Sequence, residues 1–489
     1  MTSARPEGKR PHYIMVGRVS RPIAQLIAER YNHLNIFQSR FSTFGDGESS
    51  FEMFLDDKLD DHPFDQEFSQ AEKERIMRGL KGAHVTIVHA ISGQNSSSRA
   101  MSLLHCLKHL KKNCGVATIT ILAPHTAYTR QDRPFTKVVQ RGDKFLSGPQ
   151  ENAVSCSIFA VQLREAGADR FIGVDFHSLD AEAVYKRVFS PGYIMDNSIG
   201  HLERMAQTAL DRGNLDEAAF LRLKEDFQEV ADTLRGTSPY KQEAQFVSSV
   251  DIVGDAIQDQ FPLHQYAGQI VFGAPDGAQK QGDLGVARAR NICASYYGKT
   301  FADTELSEHP YMFGINKVRL SPSETTIAEE GSYIDNVKGK IAFLIDDIAA
   351  SGSTQRKAAE FLKQQGASKV IAYATAGVLT GDALKKFASD PHIDEFWISD
   401  TVPSVEEKLE LLCNANVDVS KIRVVTSAVS IVKEIGRDHA AIDDNLVWAH
   451  ETYNGRGTPE HHLSAKTSVV PMVTGKAVSA TTMTGPVAA

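Results

Sequence analysis

Short runs rich in isoleucine, valine and phenylalanine alternate along this chain with longer stretches in which apolar residues recur every three or four positions. The first kind suits strands buried on both faces and the second suits amphipathic helices, so the alternation predicts parallel βαβ units and an α/β fold. In the first part, "HYIMVG", "LNIFQSRF", "HVTIVHAI", "ATITILAP" and "RFIGVDFH" are the predicted strands. "SRAMSLLHCLKHLKKNCG" and "NAVSCSIFAVQLREAGA" are predicted helices that close near glycine. The scheme returns in "QIVFGAPD", "IAFLIDD", "KVIAYATAG", "EFWISD" and "IRVVTSAV", which predicts two domains of similar architecture.

A stretch between them breaks this rhythm. Leu202, Met205, Ala206, Ala209 and Leu210 keep helical spacing, as do Phe220, Leu223, Phe227, Val230 and Leu234, with residues 211–214 interrupting the two runs. The pattern predicts a helical insert over 196–262, its apolar stripes serving as packing faces. The last residues, 455–489, are small and without period, and read as a flexible tail.

Composition narrows the classes. With 489 residues, 42% of them hydrophobic, the chain can bury more than one core, and its formal net charge of −8 argues against a general nucleic-acid or anionic-membrane binder. No run of about 18 apolar residues and no apolar leader is seen, so a cytoplasmic protein is expected. The five cysteines, Cys106, Cys114, Cys156, Cys293 and Cys413, lack C-x-x-C spacing, and buried, reduced thiols are expected rather than a disulfide framework or a thiolate metal site.

The chemistry concentrates in "KIAFLIDDIAASGSTQRKAAEFL". An apolar strand brings Asp346 and Asp347 to its carboxyl end, where ligands bind in open α/β sheets. Ser351, Gly352, Ser353 and Thr354 then lead into a helix, and helix-start N–H groups beside small hydroxyls make a phosphate cradle. The adjacent carboxylates can accept from a vicinal diol or hold a cation through water, so the stretch suits a 5-phosphorylated ribose. The same residues also suit an ordinary capped strand-turn-helix.

"LIDDIAASGST" resembles the phosphoribosyl pyrophosphate-binding fingerprint shared by type I phosphoribosyltransferases and ribose-phosphate pyrophosphokinases. "FGDGESSFEM", "APHTAYTRQDRP", "GVDFHSLDAEAVY", "GAPDGAQ" and "INKVRLS" resemble, in order, the adenine loop, nucleotide loop, metal strand, second metal loop and catalytic loop of the pyrophosphokinases. The resemblance implies two phosphoribosyltransferase-like domains, 1–185 and 263–454, flanking the insert. It also implies ATP and ribose 5-phosphate as partners, Mg²⁺ as cofactor, and a dimer-based homo-oligomer of up to six subunits. The reaction implied moves the diphosphoryl group of ATP onto ribose 5-phosphate.

The implied roles have a chemical basis. In the adenine loop, Asp46 and Glu48, with Gly47 between them, can accept from the adenine amino group while Phe44 packs on the base. In the nucleotide loop, Arg130 addresses phosphate, Gln131 the base, and Asp132 orients the guanidinium. Asp175 and His177 alternate on their strand and are expected to point the same way as metal residues, joined by Asp276. Lys317 and Arg319 are the expected catalytic cations on the transferring phosphoryl groups, Arg319 also serving the sugar phosphate.

Two departures stand out. Ala350 and Ser351 occupy positions where the family's synthetases carry an acid and a threonine, and Ala350 brings no carboxylate to the ribose 5-phosphate turn. The glycine pair usual after the second metal aspartate is here Gly277 and Ala278. Two further readings therefore stay open: a catalytically weak regulatory or assembly homologue, and a phosphoribosyltransferase.

Overall fold

The computed structural model describes residues 11–32, 34–43, 46, 48–53, 69–92, 96–131, 136–141, 144–149, 154–190, 193, 206–208, 210–211, 216–225, 244–275, 284–299, 305, 308–319 and 325–442. Two sheets organise them, each an α/β unit as the alternation predicts. The first has six parallel strands in the spatial order Ala244–Val247, Arg170–Val174, Thr118–Ala123, His84–Val88, His12–Val16, Asn35–Gln38. The second has seven, in the order Thr325–Tyr333, Met312–Arg319, Ile270–Ala274, Ile341–Ile348, Lys369–Ala376, Glu395–Ser399, Ile422–Val425. Its one antiparallel pair is the edge hairpin formed by the first two of these.

The strand order reverses once in each sheet, between His12–Val16 and His84–Val88 in the first and between Ile270–Ala274 and Ile341–Ile348 in the second. Connections leave such a point in opposite directions, opening a crevice at the carboxyl ends of the strands. Asp346 and Asp347 lie at the second reversal.

The two sheets share a core. Ile14, Val88, Leu122 and Ile172 of the first belong to one apolar cluster with Ile270, Phe272, Phe343, Tyr373 and Trp397 of the second. Helices Arg21–Arg30, Val250–Gln260, Leu284–Tyr297 and Ala428–Ile442 add further side chains to it. The last of these carries Ile431, Ile435, Asp438 and His439 along one stripe, and Asp438 lies fully buried against the amino ends of the first sheet's strands.

Three sequence expectations change. "LNIFQSRF" is two strands, because the chain breaks at Ser39, whose hydroxyl donates to the Met53 carbonyl at 2.8 Å. Its second half pairs with Ser49–Glu52 in a hairpin outside the main sheet. The helical insert ends earlier than expected: Ala244–Val247 is a parallel partner of Arg170–Val174, and Val250–Gln260 packs into the shared core. Within the insert, residues 206–208, 210–211 and 217–225 are helical, the last run starting where Asp216 accepts from the Ala219 N–H at 2.7 Å. The rest of the predicted hairpin and the tail lie outside the described residues. Finally, Cys413 is exposed, whereas Cys106, Cys114, Cys156 and Cys293 are buried, and all five are free. No helix among the described residues is long and apolar enough to cross a membrane.

Candidate active site

The strand Ile341–Ile348 continues through both aspartates, with Asp346 paired opposite Ala374. Asp346 folds back so that its Oδ1 accepts from the Asp347 N–H at 3.0 Å, and its side chain stays within reach of the Asp347 carboxylate. Asp347 turns inward, its side chain 8% exposed, and an oxygen meets Nδ1 of His177 from the first half at 2.7 Å. Burial alone would raise the pKa of Asp347, but the hydrogen bond from His177 and the charges of Arg288 and His177 outweigh it and hold the carboxyl at about 2. Asp347 also acts on His125, whose pKa burial pushes down to about 4 against the pull of the Asp347 charge.

Asp175 does not share the direction of His177. Its strand ends at Val174, and Asp175 itself adopts a φ of 41°, a left-handed conformation that breaks the alternation expected from sequence. Its carboxylate turns into the join between the halves, where Arg288 Nε donates at 2.7 Å to one oxygen and the Thr375 hydroxyl at 2.5 Å to the other. Arg288 also donates to the Phe176 carbonyl at 3.2 Å. Burial keeps the Asp175 pKa above its usual value despite the Arg288 charge and the Thr375 hydrogen bond. Asp175 thus links the halves through Arg288 and Thr375, and its side chain does not lie alongside that of His177 as expected. A cavity of about 770 Å³ adjoins the same pair and reaches Glu182, Lys186, Ser249 and Arg437.

The turn after Ile348 keeps its predicted character. Gly352 sits at a φ of 72° immediately before helix Ser353–Gln364, and a Cβ there would come within 2.4 Å of the Phe387 ring. Only glycine meets both demands. Ser351 and Ser353 are exposed with their hydroxyls 3.2 Å apart, Thr354 is half-buried, and Ala350 is half-buried with its carbonyl accepting from the Thr380 N–H at 3.0 Å.

The remaining predicted residues are spread more widely. Asp46 and Glu48 are exposed at the tip of the Arg40–Thr43/Ser49–Glu52 hairpin, where Asp46 accepts from the Glu48 N–H at 3.0 Å. Arg130 and Gln131 are exposed beyond strand Thr118–Ala123. Lys317 and Arg319 lie on the edge hairpin, in register with Ile327 and Thr325. Phe44, Gly47, Asp132 and Asp276 lie outside the described residues.

Sequence reasoning missed Arg288, Thr375 and His125. Arg288 had a signal, since it interrupts an apolar helical stripe that includes Ala289, Ile292 and Cys293. Thr375 lies within the buried strand Lys369–Ala376 and has no marker of its own, while His125 lies in the "APHTAYTRQDRP" motif just past strand Thr118–Ala123.

Comparison with known proteins bears on this arrangement. Residues 326–437 match the phosphoribosyl synthetase-associated domain. A ribose-phosphate pyrophosphokinase of Pasteurella multocida is 35% identical over 153 residues, 31% of this chain and 41% of that protein. Ribose-phosphate pyrophosphokinase 1 of Listeria monocytogenes is 24% identical over 342 residues, 70% of this chain and 77% of that protein. Over these stretches the chain is similar to ribose-phosphate pyrophosphokinases. The phosphoribosylpyrophosphate synthetase of Mycobacterium smegmatis shares the fold at a TM-score of 0.53 and 17% identity, over 89% of this chain and all of that one.

Similarity to pyrophosphokinases raises the question of a metal. Among the described residues no group of three or more His, Cys, Asp or Glu side chains converges on one point. The His177–Asp347 pair offers something sparser, an imidazole oriented by a carboxylate behind it. Mg²⁺ prefers oxygen donors and is held largely by substrate phosphates and water, so this imidazole would fit it through a bridging water.

Proposed function

We propose that this chain is a ribose-phosphate diphosphokinase, converting ATP and D-ribose 5-phosphate to phosphoribosyl pyrophosphate and AMP. The observation that carries the reading is the His177–Asp347 bond, which joins the two halves at the second sheet's reversal, beside the Gly352 turn.

In this reading the turn Ser351–Thr354 holds the 5-phosphate by hydroxyls and helix-start N–H groups, and Asp346 accepts from the ribose hydroxyls. Phe44, Asp46, Gly47 and Glu48 receive adenine, and Arg130, Gln131 and Asp132 place the rest of ATP. The anomeric oxygen then forms a bond to the β-phosphorus as the bond from that phosphorus to the α,β-bridging oxygen breaks, and AMP leaves. Lys317 and Arg319 stabilise charge on the transferring group. His177 and Asp276 would hold Mg²⁺, which when bound supplies charge neutralisation on the phosphates. Asp175 acts through Arg288, keeping the two halves in register. Nucleotide precursor synthesis in the cytoplasm by a homo-oligomer fits this activity.

A second reading, a regulatory homologue with weak catalysis, draws on Ala350, which puts a methyl group where the family's synthetases carry an acid. Incubation of the full chain with ATP, Mg²⁺ and ribose 5-phosphate tests both. Sugar-dependent AMP release is expected, and its absence would leave the regulatory reading standing. Pyrophosphate release from phosphoribosyl pyrophosphate in the presence of a nucleobase would point to a transferase instead.

A further inference from the structure

One cation that no motif singles out reaches the back of the sugar-phosphate turn. Lys408, half-buried on helix Ser404–Asn414, donates from Nζ to the Val378 carbonyl at 2.7 Å and the Leu379 carbonyl at 2.8 Å. Two successive carbonyls thus face one ammonium. Leu379 has a φ of 47° and is 1% exposed, a left-handed conformation that a branched side chain adopts only when its surroundings impose it.

This held segment is bonded directly to the turn. The Leu379 N–H donates to the Ala349 carbonyl at 2.8 Å, the Thr380 N–H to the Ala350 carbonyl at 3.0 Å, and the Ala349 N–H to the Ala376 carbonyl at 2.9 Å. Ala349 and Ala350 lead straight into Ser351 and Gly352. Any rotation of the 378–380 backbone therefore moves the start of the phosphate turn.

We propose that Lys408 is a positioning residue for ribose 5-phosphate: by holding the left-handed segment at Leu379 it sets the backbone of Ala349–Gly352 that receives the 5-phosphate. The proposal rests on the reading of that turn as the ribose 5-phosphate site. A neighbouring contact ties the same helix to the other half, since Glu407 pairs with Arg18 at 2.5 Å. That pair is exposed and contributes little to stability. Lys408, by contrast, bonds two backbone carbonyls with a charge, a stronger class of hydrogen bond.

The test uses the full chain with Lys408→Met, Lys408→Arg, the milder Lys408→Gln, and Lys408→Met combined with Leu379→Gly. Losing a charge-assisted hydrogen bond should raise KM for ribose 5-phosphate about tenfold in Lys408→Met while KM for ATP holds, with the melting temperature lower by about 2–4 °C. Lys408→Arg should recover most of the loss. Leu379→Gly should recover part of it, because glycine takes a positive φ without restraint. Amide hydrogen exchange at Leu379 and Thr380 should quicken in Lys408→Met and Lys408→Gln. Equal rises in both KM values, no rescue by Leu379→Gly, or unchanged exchange at those amides would overturn the proposal. Exchange is read without turnover, so a wild-type chain that makes no AMP refutes the proposed activity while Lys408 is still decided by its amides.

Discussion

Two buried carboxylates hold the halves of this molecule together from opposite ends of the first sheet, and they differ in how fully they are satisfied. At the amino ends, Asp438 receives His84 Nε2 at 3.0 Å and the Thr86 hydroxyl at 2.7 Å on one oxygen, and the Thr120 hydroxyl at 2.8 Å and Arg170 at 2.7 Å on the other. Burial alone would raise its pKa, yet the His84 charge, with its hydrogen bond and Arg170, drives it well below the usual carboxylate range. At the carboxyl ends, Asp175 has Arg288 and Thr375 as its side-chain donors among the described residues and a left-handed backbone, and the nearby Asp347 charge works against its ionisation. There burial wins. The amino end is built as an anchor, while the carboxyl end keeps a less complete, strained arrangement where ligands are expected.

The largest effect should come from breaking the anchor. Asp438→Ala strands Arg170 in a buried position without this carboxylate, and stability should fall by about 3–5 kcal/mol in urea denaturation. A loss below 1 kcal/mol would show that the four donors find other partners and that the two ends do not differ as argued.

Lys317→Ala should act in the opposite manner. Turnover is expected to fall at least about a hundredfold, as when one preorganised transition-state donor is removed, with little change in the unfolding midpoint. Unchanged turnover would take Lys317 out of the mechanism.

Gly352→Ala sharpens the picture at a single position. A methyl group at a positive φ and against Phe387 should cost about 1–2 kcal/mol, read as a higher KM for ribose 5-phosphate with KM for ATP preserved. A wild-type KM would mean that the turn does not receive the sugar phosphate.

The smallest effect distinguishes the two acids by the sign of their pH dependence. The Asp438 pKa is lowered on folding, so its contribution is present above the unfolded value near 3.8 and is lost as pH falls below it. The Asp175 pKa is raised, so its ionised form opposes folding above that raised value, and acidification from pH 7 towards pH 4 relieves the cost. Comparing wild type with Asp438→Asn and Asp175→Asn by denaturation across pH 3–7 should therefore show the stability difference shrinking at low pH for Asp438 and growing for Asp175. Parallel trends would erase the contrast.

Much of the architecture was legible because it follows from local pattern. Apolar runs in "HVTIVHAI" and "IAFLIDD" appear as the buried strands His84–Val88 and Ile341–Ile348, and the spacing in "SRAMSLLHCLKHLKKNCG" as helix Ser96–Lys112. The position of Asp346 and Asp347 at a strand's carboxyl end, and the turn through Gly352 into a helix, were legible for the same reason. Less visible was where each acid points. Strand periodicity aligned Asp175 with His177, and a single backbone rotation at Asp175 separated them.

The sequence by itself determined the strand and helix inventory, the strand-end turn and the family resemblance, because periodicity and residue chemistry act over a few neighbouring positions. Only the tertiary structure decided that Ala244–Val247 joins the first sheet, that one core serves both sheets, and that His177 bonds Asp347, 170 residues away. It also decided which of the buried acids is anchored and which is strained. Those outcomes depend on how many donors the folded chain brings to one carboxylate and how far burial removes water from it, quantities that no local stretch contains.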